Sequence, residues 1–306
     1  MSAAPSSDRD VSVSEELFAP VNAEVELCYQ TFGDPSGEPV LLVMGLGGPM
    51  TWWDPEFCAM LARRGRYVIR FDNRDVGRSS RGTGRVTRPA LIRAFTGRSV
   101  RPPYTLSDLG ADAFGLLDHL GLASAHVVGI SMGGMIAQVM AIDAPQRVRS
   151  LTSIMSTTGK RTVGWQHPRL LPLMLGSRGT DRETYALQSA KAWQVIGSPA
   201  FPQAMDDTLT RARDTFDRGV SASGVLRQML AILAEPDRGP RLRGLRIPAL
   251  VVHGDADRMV HVSGGRATAR SIPDAELLVI EGMGHDLPRE LYDTVVEAIG
   301  RTIERA

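Results

Sequence analysis

The chain has 306 residues, a formal net charge of +1, 43% hydrophobic residues and 23% charged residues, a composition typical of soluble globular proteins. A net charge this close to zero produces no overall field for nucleic acid or an anionic membrane. No stretch approaches the roughly 18 uninterrupted apolar residues of a membrane span, and residues 1–14 lack the apolar core of a signal peptide. Two cysteines make no disulfide framework in a chain of this length. These features predict a cytoplasmic protein with no nucleic-acid partner and no integral membrane association.

Strand-like and helix-like segments alternate along the chain with short connections, which is typical of a mainly parallel sheet covered by helices on both faces. Residues 24–32 alternate in polarity and predict an edge strand. The apolar runs that predict strands buried on both faces are, in chain order, 40–44, 67–71, 126–130, 148–155, 249–253 and 275–280. The segments with helical periodicity are 54–64, 106–120, 134–144, 264–271 and 291–303.

Two longer segments interrupt this alternation. Residues 77–104 contain seven arginines without a periodicity of their own, which favours a solvated insertion over an anion-binding loop. Residues 156–246 have a mostly helical pattern and fall between two strands of the sheet. We expect them to form a helical cap over the carboxyl ends of the strands, where open parallel sheets bind their ligands. The predicted organisation is a core of residues 1–155 and 247–306 with the cap inserted.

A Gly-x-Ser-x-Gly sequence, with Ser131 at its centre, joins the predicted strand 126–130 to the following helix. A serine hydroxyl is a weak nucleophile, and this strand-to-helix turn exposes it while aiming backbone N–H groups at the developing oxyanion. Glycines allow the sharp turn and the close approach of neighbouring segments. The pentapeptide by itself also fits an incidental serine in a glycine-rich turn. Its flanking strand and helix favour a nucleophile.

An acidic residue and a histidine follow the last two predicted strands, downstream of Ser131. Because the carboxyl ends of parallel strands meet at one edge of a sheet, we expect these side chains to converge with the serine. His285 would accept the proton of Ser131 and later protonate the leaving group, so the rate should decline toward acid pH. The acid that orients His285 is Asp257, with Asp255 as the alternative because both residues follow the strand closely. The remaining histidines are interpreted as structural: His119, His126, His167, His253 and His261.

The elbow, the late acid and histidine and the interrupted sheet together resemble the α/β-hydrolase family. Over residues 24–156 and 246–306 the chain is most similar to the branch of actinobacterial carboxylesterases that includes aclacinomycin methylesterase. The stretches that carry this similarity are 44–48, 70–79 and 282–285. The resemblance implies an α/β-hydrolase fold and an enzyme that cleaves carboxylic esters, including methyl esters or lactones of bulky apolar substrates, through an acyl-enzyme. It implies no cofactor.

The resemblance also implies roles for individual residues. The family pattern His-Gly-x-x-Asp places the acid at Asp257 and leaves Asp255 as a turn-forming carboxylate. The oxyanion hole would consist of the backbone N–H groups of Leu46 and Met132. The run 72–79 is expected to be a loop held by side-chain hydrogen bonds and not a catalytic site.

The predicted substrate pocket has mostly apolar walls, formed by Met44, Trp165, Trp193 and Phe201. These side chains equally fit packing of the cap against the sheet. Methionine is an adaptable wall material, so a bulky apolar substrate is favoured.

Several other activities use the same fold. A cofactor-free haloperoxidase or perhydrolase and a carbon–carbon bond hydrolase share the triad, and some members of the fold bind small ligands as receptors. Epoxide hydrolases and haloalkane dehalogenases are excluded because they have Asp at the position of Ser131. No His-x-x-x-His or Cys-x-x-Cys spacing predicts a metal, and no complete nucleotide-binding fingerprint is present. The expected partner is a small-molecule ester.

Overall fold

A computed structural model describes residues 10–170 and 179–306. Its centre is an eight-stranded sheet in the order β1-β2-β4-β3-β5-β6-β7-β8. The strands are β1 Leu17–Pro20, β2 Glu26–Phe32, β3 Glu38–Val43, β4 Arg66–Phe71, β5 Ala125–Ile130, β6 Val148–Ile154, β7 Ala249–Gly254 and β8 Glu276–Ile280. Strand β2 is antiparallel to both β1 and β4. All other neighbours pair in parallel.

Helices follow most strands of the parallel part of the sheet. They are α1 Pro55–Arg63, α2 Arg88–Phe95, α3 Leu106–His119, α4 Met132–Asp143, α5 Arg182–Ile196, α6 Met205–Gly219, α7 Ala222–Ala234, α8 Gly239–Leu242, α9 Ser263–Ser271 and α10 Tyr292–Ile303. Single turns of 3₁₀-helix occur at Met50–Trp52, Pro145–Arg147, Pro168–Leu170 and Arg289–Leu291. Helices α5 to α8 lie between β6 and β7 in the chain. Within the described ranges, no helix has the length and apolar character needed to cross a membrane.

Alternate residues of the central strands enter two separate cores, because successive side chains of a strand point to opposite faces. Leu41 and Val43 of β3 pack with the apolar faces of α3 and α4. Val40 and Leu42 pack on the other side with α1 and α10. The sheet is therefore covered on both faces, as the continuous apolar runs predict, and its carboxyl edge remains available for a site.

The predicted α/β-hydrolase fold is confirmed, and the six apolar strands and five helices named above lie within two residues of their predicted ends. Two details of the strand prediction are wrong. Strand β2 is not at the edge, because the short strand β1 pairs with its outer side. Strand β8 is not buried on both faces; it forms the opposite edge, with Leu277 and Val279 39% and 37% exposed. Apolar composition alone does not distinguish a strand that is covered on both faces from an edge strand with one exposed face.

The segment 77–104 contains a helix, α2, that the sequence analysis did not predict. The hydroxyl of Thr87 accepts a hydrogen bond from the Ala90 N–H at 3.3 Å, and Pro89 lies in the first turn. These are signals of a helix start. The apolar residues of this helix do not form a buried face, however: Ile92 and Phe95 are 64% and 63% exposed.

Candidate active site

Ser131 lies between the end of β5 and the first residue of α4, in a backbone conformation that non-glycine residues rarely adopt. Its φ is 56° and its ψ is −116°. The backbone is held there by a hydrogen bond from the Ser131 N–H to the Ile154 carbonyl at 2.9 Å. Strain of this kind persists only where the surrounding structure imposes it, and it occurs most often at functional sites.

Glycines surround Ser131 because neighbouring segments leave no room for a Cβ. A Cβ on Gly129 would clash with the backbone of Gly133, and a Cβ on Gly133 would clash with the Val43 carbonyl. On Gly134 it would lie 2.7 Å from the Cβ of Ser156. The turn therefore packs against both β3 and the segment after β6, which supports the steric role predicted for these glycines.

Ser131, His285 and Asp257 form a continuous hydrogen-bonded chain. The Nε2 atom of His285 lies 3.0 Å from the Ser131 hydroxyl, and its Nδ1 atom lies 2.7 Å from an Asp257 carboxylate oxygen. Because an ionised carboxylate only accepts, the Nδ1–H donates to Asp257 and Nε2 is left to accept from the hydroxyl. The imidazole is thus in the tautomer that can remove a proton from the serine.

The Asp257 carboxylate is buried and fully engaged. Its other oxygen accepts the backbone N–H groups of Met259 at 2.8 Å and Val260 at 2.9 Å. Burial alone would raise the pKa of Asp257, but the charge of His285 and hydrogen bonds from His253 and His285 hold that pKa well below its usual range. The acid therefore stays ionised beside the imidazole.

Asp255 occupies a different environment. It is exposed, and its carboxylate accepts the Gly282 N–H at 2.7 Å across the loop that leads to His285. The structure thus brings Asp257, and not Asp255, into contact with the histidine.

His253 contributes a contact that the sequence analysis missed. Its Nε2 atom donates to the Val260 carbonyl at 2.7 Å and lies 3.4 Å from Asp257. The side chain is fully buried at the end of β7, as expected for a strand-end residue.

In the described part of the chain, no other histidine hydrogen-bonds to Ser131. His126 is buried against the Ser150 hydroxyl, and burial, together with the charges of Arg149 and Arg66, lowers its pKa to about 3. His261 stacks on Trp165 with ring centroids 4.2 Å apart. His119 makes an edge-to-face contact with Tyr29, and the Nδ1 atom of His167 accepts the Arg169 N–H at 3.2 Å.

The loop after β3 approaches the serine closely, since a Cβ on Gly45 would lie 3.3 Å from the Cβ of Ser131. Within residues 10–170 and 179–306, neither the Leu46 N–H nor the Met132 N–H donates to a protein acceptor. Met132 is also the first residue of α4, where the helix dipole favours negative charge. Both N–H groups belong to residues that directly follow the close contact between Gly45 and Ser131.

Two amide side chains hold this loop. Asn73 donates to the Met44 carbonyl at 3.0 Å, and Gln228 of α7 accepts the Gly47 N–H at 2.8 Å. The sequence carries no local signal for the role of Gln228, because its contact with Gly47 spans 181 residues of the chain.

The run 72–79 is a loop held by side-chain hydrogen bonds, as predicted. Asp72 accepts the Met50 N–H at 2.7 Å and pairs with Arg218 of α6 at 2.8 Å. Asp75 pairs with Arg227 of α7 at 2.6 Å. Both carboxylates are buried. These pairs attach the helical segment to the core, and breaking a buried pair by removing one partner is strongly destabilising.

The loop carrying His285 is also joined to the helical segment. The backbone N–H of His285 donates to the Ile196 carbonyl at the end of α5, at 2.7 Å. The neighbouring Asp286 accepts hydrogen bonds from Ser198 and from Gln203, the latter at 3.0 Å. The position of the histidine thus depends on residues that follow α5.

A cleft of about 2880 Å³ lies between the carboxyl edge of the sheet and helices α5 to α7. Ser131 and His285 line it. The four predicted pocket residues line it too: Met44, Trp165, Trp193 and Phe201. Met44 and Phe201 also contribute to the core on the α1 side of the sheet, so wall and packing roles coincide there. Among the described residues, no cluster of three potential metal ligands was found.

Comparison with known proteins agrees with this architecture. The family described as alpha/beta hydrolase fold matches residues 38–288. The chain belongs to this family. Rhodomycin D methylesterase DauP of Streptomyces sp. (strain C5) is 28% identical to this alpha/beta hydrolase over 90% of the chain and 94% of the relative. The 3-oxoadipate enol-lactonase 2 of Acinetobacter baylyi (strain ATCC 33305 / BD413 / ADP1) is 28% identical over 84% of the chain and 86% of the relative.

Solved structures show the same fold. The enol-lactonase from Burkholderia xenovorans LB400 superposes with a TM-score of 0.71 at 22% identity, covering 94% of this chain and all of that one. The family match and the named relatives confirm the predicted resemblance to methylesterases and the prediction of an ester-hydrolysing enzyme.

Proposed function

We propose that this alpha/beta hydrolase cleaves carboxylic esters through a covalent acyl-enzyme on Ser131. The observation that carries the proposal is the hydrogen-bonded chain from Asp257 through His285 to the Ser131 hydroxyl. Serine is activated when a base contacts its hydroxyl and an acid orients that base.

In the proposed mechanism, the Ser131 oxygen attacks the ester carbonyl carbon while His285 Nε2 takes the hydroxyl proton. The developing oxyanion accepts hydrogen bonds from the Leu46 and Met132 N–H groups. Collapse of this intermediate expels the alcohol, which receives the proton from His285. A water molecule then repeats the sequence on the acyl-enzyme and releases the acid, with Asp257 stabilising the imidazolium in both halves.

The proposed substrates are esters of bulky, largely apolar acids, methyl esters among them. A cleft of about 2880 Å³ exceeds the roughly 300–1,000 Å³ of ordinary ligand sites. The relatives named as rhodomycin D methylesterases support a methyl ester. In this proposal residues 156–246 act as a cap that selects the substrate, and the core residues perform the chemistry.

The acyl-enzyme proposal is tested by labelling with a p-nitrophenyl phosphonate, a tetrahedral mimic of the attacked ester. We expect one equivalent of p-nitrophenolate per chain and a mass increase confined to the peptide containing Ser131. Mass spectrometry of the digested protein reads the site. The same treatment of His285→Ala should be much slower, because the hydroxyl loses its base. Labelling at another residue, or none, would contradict the proposal.

The cap proposal predicts a change in selectivity when Trp193 is shortened. Trp193 of α5 lines the cleft and contacts Trp52 with ring centroids 5.4 Å apart. Trp193→Ala should change the ratio of kcat/KM for a bulky aryl ester to that for an acetate ester by about ten- to a hundredfold, the range that apolar contacts supply. Leu187→Ala on the same helix is the matched control, because that exposed side chain lies outside the cleft. If Trp193→Ala changed kcat/KM by the same factor for all esters, Trp193 would have a packing role and would not select the substrate.

A further inference from the structure

Arg211 of α6 stands out among the described residues that line the cleft, because its side chain is half-buried and its Nη2 atom has no hydrogen-bond partner. Of the buried side-chain nitrogen and oxygen atoms without a hydrogen bond in the described ranges, its Nη2 is the only one in a permanently charged group. Across the same residues, the guanidinium makes neither a hydrogen bond nor an ion pair. Buried charges are normally paired, because removing them from water is costly.

The surroundings of Arg211 hold the guanidinium but do not neutralise it. It lies over the ring of Trp193, 4.6 Å from the centroid, and 6.0 Å from that of Trp52. The Trp52 indole is itself fixed by a hydrogen bond to Thr215 at 2.9 Å. Cation–π contacts of this kind offset part of the desolvation cost and orient the guanidinium plane. They leave its N–H donors free.

Nearby acids do not serve as its partner. Asp286 contributes a favourable charge, but its oxygens accept from Ser198 and Gln203 and it is not in ion-pair contact with Arg211. Burial lowers the pKa of Arg211, and the charge of Asp286 offsets this only in part. Burial also raises the pKa of Asp286.

We propose that Arg211 binds a free carboxylate group of the substrate, so that the preferred esters are those that carry a second, unesterified acid. The supporting geometry is a half-buried guanidinium whose buried Nη2 atom has no partner among the described residues, in the wall of the same cleft as Ser131 and His285. The planar fork of a guanidinium matches a carboxylate with two parallel hydrogen bonds. The two indoles would accept the apolar carbon chain next to the acid. This inference rests on the proposed function, whose site it deepens.

The kinetic test uses matched pairs of esters in two series. One pairs p-nitrophenyl half-esters of the dicarboxylic acids from succinic to suberic with neutral p-nitrophenyl alkanoates of equal length. The other pairs acetate esters of ω-hydroxy acids with acetate esters of alkanols. For at least one chain length, we expect kcat/KM for the ester that carries a free carboxylate to exceed kcat/KM for its neutral partner by tenfold or more.

Arg211→Met should lower this ratio by about tenfold to a hundredfold, the contribution of hydrogen bonds to a charged group. Arg211→Lys should retain part of the preference, because it keeps the charge without the fork. Arg213→Met is the matched control, since Arg213 of the same helix pairs with Glu183 at the surface and lies outside the cleft. It should keep the wild-type ratio. A ratio near one at every chain length, or a ratio unchanged in Arg211→Met, would overturn the inference.

A binding measurement separates this inference from the proposed function. The Ser131→Ala protein is titrated with the free dicarboxylates from succinate to suberate while the intrinsic tryptophan fluorescence, to which Trp52 and Trp193 contribute, is followed. Saturable quenching that disappears in Ser131→Ala/Arg211→Met would support the carboxylate site even if no ester were hydrolysed. Turnover of neutral esters without any dicarboxylate binding would leave the esterase proposal standing and remove the Arg211 site.

Discussion

Ser131→Ala should lower kcat for a short-chain aryl ester by at least about a thousandfold, because it removes the attacking oxygen and leaves only binding and the oxyanion donors. The fold should be unchanged. Alanine at this position meets the same backbone strain as serine, and the hydrogen bond from the residue 131 N–H to Ile154 does not involve the side chain. The measurement is steady-state kinetics with purified protein, together with the melting temperature.

The control for Ser131→Ala is Ser107→Ala, an exposed serine whose hydroxyl donates to Asp143 at 2.9 Å on the surface. This variant should keep wild-type turnover. Near-full activity of Ser131→Ala would rule out the acyl-enzyme, whatever the fate of the control.

Asp257→Asn should cost on the order of a thousandfold to ten-thousandfold in kcat, because the amide stabilises the wrong tautomer of His285. The hydrogen bonds of Asp257 explain why an amide at this position would stabilise that tautomer. One carboxylate oxygen accepts the N–H groups of Met259 and Val260, so the amide oxygen of an asparagine must take that place. Its NH₂ group then faces His285 Nδ1 and donates to it, which leaves the proton on Nε2, where the base must accept one.

Asp255→Asn is the matched comparison, because it makes the same chemical change two residues away. Among the described residues its carboxylate accepts one hydrogen bond, from the Gly282 N–H, which an amide oxygen can accept as well as a carboxylate. We expect kcat within about threefold of wild type, since neither the tautomer nor the position of His285 changes. The reverse ranking of the two variants in the same ester assay would move the acid to Asp255.

Features set by short stretches of sequence could be predicted. The turn at Ser131 requires an apolar strand, closely spaced glycines and a helix, all of which are neighbours in the chain. Strands with both faces buried, such as β3 and β5, are continuous apolar runs for the same reason. The order of Ser131, Asp257 and His285 along the chain follows from their places after the parallel strands β5, β7 and β8.

Features set by contacts between distant segments could not be predicted in this way. Strand β2 is internal only because β1 pairs with it, and β1 has four residues without a marked pattern. The choice between Asp255 and Asp257 depends on which side of a loop faces His285. The position after the strand fits both residues, and only the resemblance to the family pattern favours Asp257.

Helix α6 illustrates the difference most directly. Its three arginines are chemically identical and lie within eight residues. Arg211 lines the cleft without a hydrogen-bond or ion-pair partner among the described residues, Arg213 pairs with Glu183 at the surface, and Arg218 forms a buried ion pair with Asp72. The sequence by itself determined the sheet, the elbow and the candidate serine, because those arise from local backbone and side-chain preferences. Only the tertiary structure decided which arginine is buried, paired or free, because burial and charge pairing are supplied by other segments of the chain.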